Sequence, residues 1–208
     1  LMDTAIAAAQ KAFEKTRALT SGERAAILDR IAAGLRSRAE EIARAIMAEA
    51  GKPITLARIE VDRGICTFDL AAREAHRLEG ETLPLDVHPV GKGRFGLTRR
   101  FPLGPVAAIT PFNFPLNLVA HKVAPAIAVG NSVVLRPASQ TPVTSLILGE
   151  IAMEAGLPDG ALNVVPSPVA QAEQLVADER IKMISFTGSP AVGWPLKSKA
   201  GKKKVSLE

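Results

Sequence analysis

Val106-Ala107-Ala108-Ile109-Thr110, Ser132-Val133-Val134-Leu135-Arg136, Ala161-Leu162-Asn163-Val164-Val165 and Lys182-Met183-Ile184-Ser185-Phe186 are four short apolar runs whose spacing decides the fold. Each is too short for a helix and is followed by a stretch with helical pattern. These stretches run from Pro115 to about Val129, from Thr141-Pro142 to Ala155 with Gly156 as the stop, from Pro168 to Asp178, and from Ser189 onward. Lys204-Val205-Ser206-Leu207-Glu208 begins a fifth run. Apolar strands alternating with helices of roughly ten to fifteen residues predict a parallel sheet covered on both faces. Ligands of such sheets bind outside the carboxyl ends of the strands, so chemistry is to be sought in the loops after each run.

Working outward, residues 3–50 read as two helices. Ala5, Ile6, Ala9 and Phe13 share one face, and Thr20-Ser21-Gly22-Glu23 is a capping-box start for the second. Ile27, Leu28, Ile31, Leu35, Ile42, Ile46 and Met47 continue an apolar stripe until Gly51-Lys52-Pro53 stops it. Residues 54–78 form a further amphipathic helix with Ile59, Ile65, Phe68 and Leu70 among its apolar positions. Between 80 and 102 the glycines and prolines break helices, and short β-prone pieces such as Gly96-Leu97-Thr98-Arg99-Arg100-Phe101 read as a two-stranded ribbon. A ribbon too thin to bury a face alone packs on something else, a partner subunit being one candidate. The fold class is α/β: a Rossmann-like doubly wound parallel sheet preceded by helices, with a protruding β-ribbon.

A hydrophobic content of 47 % supports a packed core and argues against disorder. With aromatics at 4 %, that core must rest on Ala, Val, Ile and Leu. The net charge of +5 owes much to Lys197, Lys199, Lys202, Lys203 and Lys204. No aromatic residues interleave with this run as base stacking would need, so it reads as a solvated helix end and turn, with no nucleic-acid partner expected. A single cysteine, Cys66, and three histidines without ligand spacing leave no metal site. No apolar run reaches a membrane span and no signal peptide is legible, so a soluble cytoplasmic protein without a membrane partner is the expectation.

Three loops carry candidate chemistry. Thr110-Pro111-Phe112-Asn113-Phe114-Pro115 comes after the first strand, and two prolines stiffen it. Asn113 offers an amide donor suited to a developing oxyanion; an asparagine there equally serves to cap a turn or the next helix. The second loop begins Arg136-Pro137-Ala138-Ser139. A carboxylate at such a place selects a free ribose 2′-hydroxyl. None occurs between 135 and 142, so Arg136 and Ser139 are free to tolerate a 2′-phosphate. The third is Phe186-Thr187-Gly188-Ser189, where glycine and a helix start suit a pyrophosphate. Its Gly-x-x-x-x-Gly spacing is not the dinucleotide fingerprint and is weak alone.

Together these segments resemble the aldehyde dehydrogenases. The resemblance is carried by Ile109-Thr110-Pro111-Phe112-Asn113-Phe114-Pro115, Asn131-Ser132-Val133-Val134-Leu135-Arg136-Pro137, Glu154-Ala155-Gly156-Leu157-Pro158-Asp159-Gly160, Phe186-Thr187-Gly188-Ser189 and Val205-Ser206-Leu207-Glu208, in order, and it covers essentially the whole chain. It implies oxidation of an aldehyde to the acid with NAD or NADP, through attack by a cysteine thiolate, hydride transfer and hydrolysis. It implies Asn113 as the side-chain oxyanion donor and Glu208 as general base. It further implies Thr110, Pro111, Phe112, Phe186, Thr187, Gly188 and Ser189 along the dinucleotide, with Arg136, Pro137 and Ser139 at its adenosine ribose. Lys122 matches a frequent lysine of the family. Arginine at 136 where lysine is commoner, and serine at 139 where glutamate is common, lean towards NADP tolerance.

The resemblance divides the chain into an amino-terminal helical part of the cofactor-binding domain (1–81), an oligomerisation ribbon (82–102) and a Rossmann-like core (103–208). The family's nucleophile would lie beyond 208 in a catalytic domain absent here, so these residues alone are not expected to oxidise aldehydes. Cys66 is not that nucleophile and is expected to be a buried small hydrophobe. The ribbon implies a homo-oligomer of the complete enzyme. Short-aldehyde members, such as oxidisers of lactaldehyde or glyceraldehyde phosphate, are nearest in the Phe112-Asn113-Phe114 region. The alternatives are a non-catalytic dinucleotide-binding or oligomerising protein on the same fold and, more remotely, a basic nucleic-acid binder.

Overall fold

A computed structural model describes residues 1–168 and 170–208. Its centre is a parallel sheet built from β3 (Val106–Ile109), β4 (Val133–Arg136), β5 (Leu162–Val164), β6 (Met183–Phe186) and β7 (Lys204–Leu207) in the order β5-β4-β3-β6-β7. Each connection carries a helix: α5 (Asn117–Ala128), α6 (Val143–Glu154), α7 (Ala170–Ala177) and α8 (Pro190–Lys199). The chain lays strands outward from β3 to β5, then returns to place β6 on the other side of β3, aligned Ala107 to Ile184 and Ile109 to Phe186. The strand order therefore reverses between β3 and β6, where the loops after these strands diverge and leave a crevice.

Strand side chains alternate between two cores, as the period of two requires. Ala108, Val133 and Leu135 pack on one face with α5, α6 and the helices α2 (Ser21–Ser37), α3 (Ala39–Ala50) and α4 (Ile54–Ala75). Ala107, Ile109, Val134 and Ile184 pack on the other with α7, α8 and α1 (Met2–Thr16). The early helices thus share both cores with the sheet.

The amino-terminal stretch differs from its reading in one respect: residues 3–50 hold three helices. Arg38, at φ −106° and ψ 18°, leaves helical geometry and separates α2 from α3. Its guanidinium is held by Glu41 at 2.8 Å and Glu150 at 3.0 Å. The break is silent in the apolar pattern because Leu35 and Ile42, on either side of it, are both fully buried. The expected capping box of Thr20 and Glu23 forms.

In α4 the buried stripe is Ala57, Glu60, Val61, Gly64, Ile65, Phe68, Ala71, Ala72 and Ala75. Small residues fill it because the neighbouring elements approach closely: a Cβ on Gly64 would sit 2.9 Å from Leu116 Cδ2. Ile59 and Leu70 lie off this stripe and are exposed. So is Cys66, one position and about 100° beyond Ile65, which corrects its reading as a buried hydrophobe.

The ribbon pairs β1 (Thr82–Pro84) antiparallel with β2 (Phe95–Leu97), and Phe95 and Leu97 stand out into solvent. Of the lysine run, Lys199 pairs with Glu173 at 2.7 Å, Lys203 reaches the Ala177 carbonyl at 3.3 Å, and Lys197 lies over the Trp194 ring. Among the described residues no helix is long and apolar enough to cross a membrane.

Entry into β3 depends on one buried side chain. Asn131 Oδ1 accepts from the N–H of Leu103 at 2.8 Å and of Gly104 at 3.0 Å. Asn131→Ala leaves both donors without a partner and is expected to cost about 1–3 kcal/mol. Urea unfolding checks it, by a lowered midpoint at unchanged slope.

Candidate active site

The carboxyl ends of four adjacent strands are stitched together beyond their ladders. The Thr110 N–H donates to the Arg136 carbonyl (3.3 Å) and the Thr187 N–H to the Ile109 carbonyl (3.1 Å). The Glu208 N–H donates to the Phe186 carbonyl (3.0 Å) and the Gly188 N–H to the Glu208 carbonyl (3.1 Å). Arg136, Thr110, Thr187 and Glu208 consequently stand side by side along one edge of the sheet.

A cleft of about 530 Å³ opens above these ends, between the loops after β3, β4 and β6 and helices α7 and α8. Thr110, Pro111, Phe112, Arg136, Ser139, Phe186, Thr187, Gly188 and Ser189 border it, whereas Asn113, Pro137 and Glu208 do not. The other wall comes from α7 and α8, through residues such as Ala172, Ala191, Pro195 and Leu196, with Glu173 and Lys199 also bordering the cleft. Sequence reasoning missed this wall, because small residues on a helix carry no chemical signature.

The third loop needs its glycine for a packing reason. A Cβ on Gly188 would lie 2.5 Å from Cζ of Phe186, so only glycine lets that ring tuck under the turn. Ser189 stands at the N-cap position of α8 in extended geometry, without a side-chain hydrogen bond to the helix, and Pro190 takes the first helical position. The Gly188 N–H is committed to Glu208, while the N–H groups of Ser189 and Ala191 have no backbone acceptor among the described residues. A helix start with unclaimed donors beside a cleft suits an anionic group.

Arg136 is buried, and its cationic head meets no carboxylate among the described residues. Its Nη2 donates to the Ser167 carbonyl at 2.8 Å and to Ser139 Oγ at 3.2 Å, and Nε donates to the same carbonyl at 3.2 Å. Burial pushes its pKa down, but a guanidinium stays charged in any case. An uncompensated cation therefore borders the cleft at Ser139. The guanidinium also ties the β5–α7 loop to the β4–α6 loop.

Asn113 is exposed at the head of α5, and its backbone carbonyl accepts from Lys52 Nζ at 2.8 Å. Glu208 Oε2 accepts from Thr187 Oγ1 at 3.0 Å and pairs with Lys122 Nζ at 3.4 Å. Lys122 comes from α5, is buried, and donates also to Ser185 Oγ at 3.1 Å. Burial lowers its pKa, and Glu208 pulls it part of the way back. Among the described residues no group of His, Cys, Asp and Glu is arranged to hold a metal ion.

Comparisons with known proteins agree on a family. The model of the aldehyde dehydrogenase family matches residues 1–208, and the chain belongs to that family. 3-Sulfolactaldehyde dehydrogenase of Priestia megaterium is 45 % identical over 208 residues, covering 100 % of this chain and 43 % of the relative. Aldehyde dehydrogenase 21 of Physcomitrella patens, solved in complex with the reaction product succinate, is 50 % identical with a TM-score of 0.96, over 99 % of this chain and 43 % of that one. Glyceraldehyde-3-phosphate dehydrogenase of Methanocaldococcus jannaschii, solved with NADP, is 42 % identical with a TM-score of 0.93, over 100 % and 45 %. The chain thus spans less than half the length of the relatives it matches.

The buried ammonium of Lys122 sets a pH dependence. A lysine whose folded pKa lies below its unfolded value costs stability while it is charged in both states. That cost is relieved as pH rises from the folded pKa to the ordinary value of 10.5. Lys122→Met should therefore lose part of the rise in stability on the alkaline side. Urea unfolding of both proteins from neutrality to pH 10.5 reads it; parallel curves would contradict the assignment.

Proposed function

We propose that the full-length protein, as a member of the aldehyde dehydrogenase family, oxidises an aldehyde to the carboxylic acid with NAD or NADP. The observation that carries this reading is the meeting of the Gly188 turn, the Asn113 loop and the Glu208 carboxylate along adjacent strand ends beside one cleft.

The cleft fits a dinucleotide in charge and shape. The unclaimed N–H groups of Ser189 and Ala191 suit a pyrophosphate. Arg136 and Ser139 are the adenosine-ribose side, and without a carboxylate there a 2′-phosphate is accepted. Pro111, Phe112 and Phe186 supply apolar cover, with Pro137 buried behind Arg136 to hold its loop. A bound dinucleotide would supply the acceptor for the hydride that leaves the aldehyde carbon. Asn113 donates its amide N–H to the aldehyde oxygen as negative charge develops, an interaction typically worth about 2.7–4 kcal/mol. Glu208 removes the proton from the attacking water. The Thr187 hydroxyl and the Lys122 ammonium hold the carboxylate in place. Cys66, exposed on α4, has no part in this chemistry.

The aldehyde we favour carries an acidic group. Arg63 lies 5.7 Å over the ring of Phe114, next to Asn113, and makes no ion pair among the described residues. The three relatives act on sulfolactaldehyde or glyceraldehyde-3-phosphate, or were solved with succinate, and each of these molecules is an anion. We further assign 1–81 and 103–208 to one cofactor-binding domain. The exposed ribbon of 82–102 is assigned to assembly of a homo-oligomer, supported by the exposure of Phe95, Leu97 and Phe101. The exposed free thiol of Cys66 fits the reducing, cytoplasmic setting that we propose.

Aldehyde-dependent reduction of NAD and NADP by the full-length protein tests the activity. Ser139→Glu is expected to weaken NADP binding at least tenfold more than NAD binding, a differential of about 1.4 kcal/mol or more; equal changes would sink the ribose assignment. Arg63→Gln is expected to lower kcat/KM for an anionic semialdehyde about tenfold or more, and to leave an uncharged aldehyde of similar size unaffected.

A further inference from the structure

The reading of Asn113 as oxyanion donor requires its loop to be stiff, yet the loop itself has little to stiffen it. Residues 110–116 hold no regular structure, and α5, which comes next, has no side-chain cap of its own. The missing cap comes from 56 residues upstream. Glu60, at 1 % exposure on α4, accepts through Oε1 from the N–H of Leu116 at 2.9 Å and of Asn117 at 3.2 Å. Its other oxygen takes the Lys52 ammonium. Lys52 sits on the turn between α3 and α4, and its Nζ also donates to the Asn113 carbonyl at 2.8 Å. The same Nζ stands 4.0 Å from the centre of the Phe114 ring.

Taken together these contacts form one charge-assisted clamp on both sides of Asn113. Lys52 pins its own carbonyl, and Glu60 pins the N–H groups three and four residues on. Nearly every polar atom of the clamp is committed. Glu60 has no other cation, and Lys52, only 13 % exposed, has no other anion among the described residues. A buried carboxylate is costly unless neutralised and hydrogen-bonded. Here it is both, and what its geometry holds is the backbone that carries the Asn113 amide.

We propose that Lys52 and Glu60 are positioning residues for the reaction: through the Asn113 carbonyl and the start of α5 they set the direction of the Asn113 amide towards the aldehyde oxygen. The proposal rests on Asn113 being the oxyanion donor. Preorganised donors lose most of their value when misaimed, and an ångström of displacement costs about 10²-fold in rate.

The test uses the full-length protein, with kcat, KM for the aldehyde, dinucleotide affinity and thermal midpoint measured for each variant. Lys52→Met keeps an unbranched stem of similar length and removes the Nζ donor. It should lower kcat about 10- to 100-fold, with dinucleotide affinity within about twofold of the parent. Lys52→Arg, which still donates and still neutralises Glu60, should recover most of that loss. The decisive readout is a double-mutant cycle: in an Asn113→Ala background, Lys52→Met should cost no further activity, because the group it aims is gone. Additive losses would mean that Lys52 acts on folding or binding instead, and would overturn the proposal. A Lys52→Met protein with kcat within about twofold of the parent overturns it as well. If Lys52→Met does not fold, the same cycle is run with Lys52→Gln, whose shorter amide releases the Asn113 carbonyl. An Asn113→Ala protein of undiminished activity would instead remove the oxyanion reading on which the clamp rests, so the two failures are distinct.

Discussion

The site depends on the reversal of strand order between β3 and β6. Two neighbouring parallel strands share a full ladder of hydrogen bonds, and at their carboxyl ends the chain leaves in two directions, to α5 on one face and α8 on the other. No connection crosses the gap between those exits, so a cleft lies there. The Thr187 N–H to the Ile109 carbonyl is the last bond before the strands part. The residues around the gap are local solutions to that geometry. Glycine at 188 lets the Phe186 ring fold under the turn, and the start of α8 stands beside the cleft with donors that no backbone carbonyl claims.

Charge in the site obeys a consistent logic. Two basic groups are buried near the strand ends, Arg136 and Lys122, and both are pushed towards lower pKa by desolvation. Arg136 has only carbonyl and hydroxyl acceptors, so its charge remains available to an anionic ligand. Lys122 has Glu208, itself half exposed, and their pairing holds a carboxylate in one orientation beside Thr187. One buried cation is thus left without a carboxylate, and the other is paired with one. A cation left without a carboxylate partner costs folding energy unless a ligand supplies the missing charge.

The sheet was legible because its strands are short apolar runs, and the loops after them hold the residues with distinctive chemistry. The features that were not legible depend on partners far away in sequence. The break at Arg38 is stabilised by Glu150, 112 residues on. The exposure of Ile59, Cys66 and Leu70 results from close packing of α4, whose inner stripe is small because Leu116 presses against Gly64. A helical face of alanine and glycine looks weaker in a sequence than one of leucine and isoleucine, although it is the side that packs. Glu60 likewise reads as a surface residue of an amphipathic helix, and only the placement of α5 turns it into a buried cap.

Both candidate catalytic groups are referred to one element. The loop of Asn113 leads into α5, whose first N–H groups are held by Glu60. Lys122 lies five residues after Asn117, about 7.5 Å along the same helix, and holds Glu208. Between and beyond them α5 presents Val119, Ala120, Val123 and Ala124, all fully buried, so it has no room to slide or rotate without opening voids. A helix fixed at its start by hydrogen bonds to a buried carboxylate and along its length by close packing behaves as a strut. On the proposed roles, Asn113 and Glu208 are then registered against each other through α5. Both side chains stay polar and exposed while the precision of their placement comes from an apolar helix beneath.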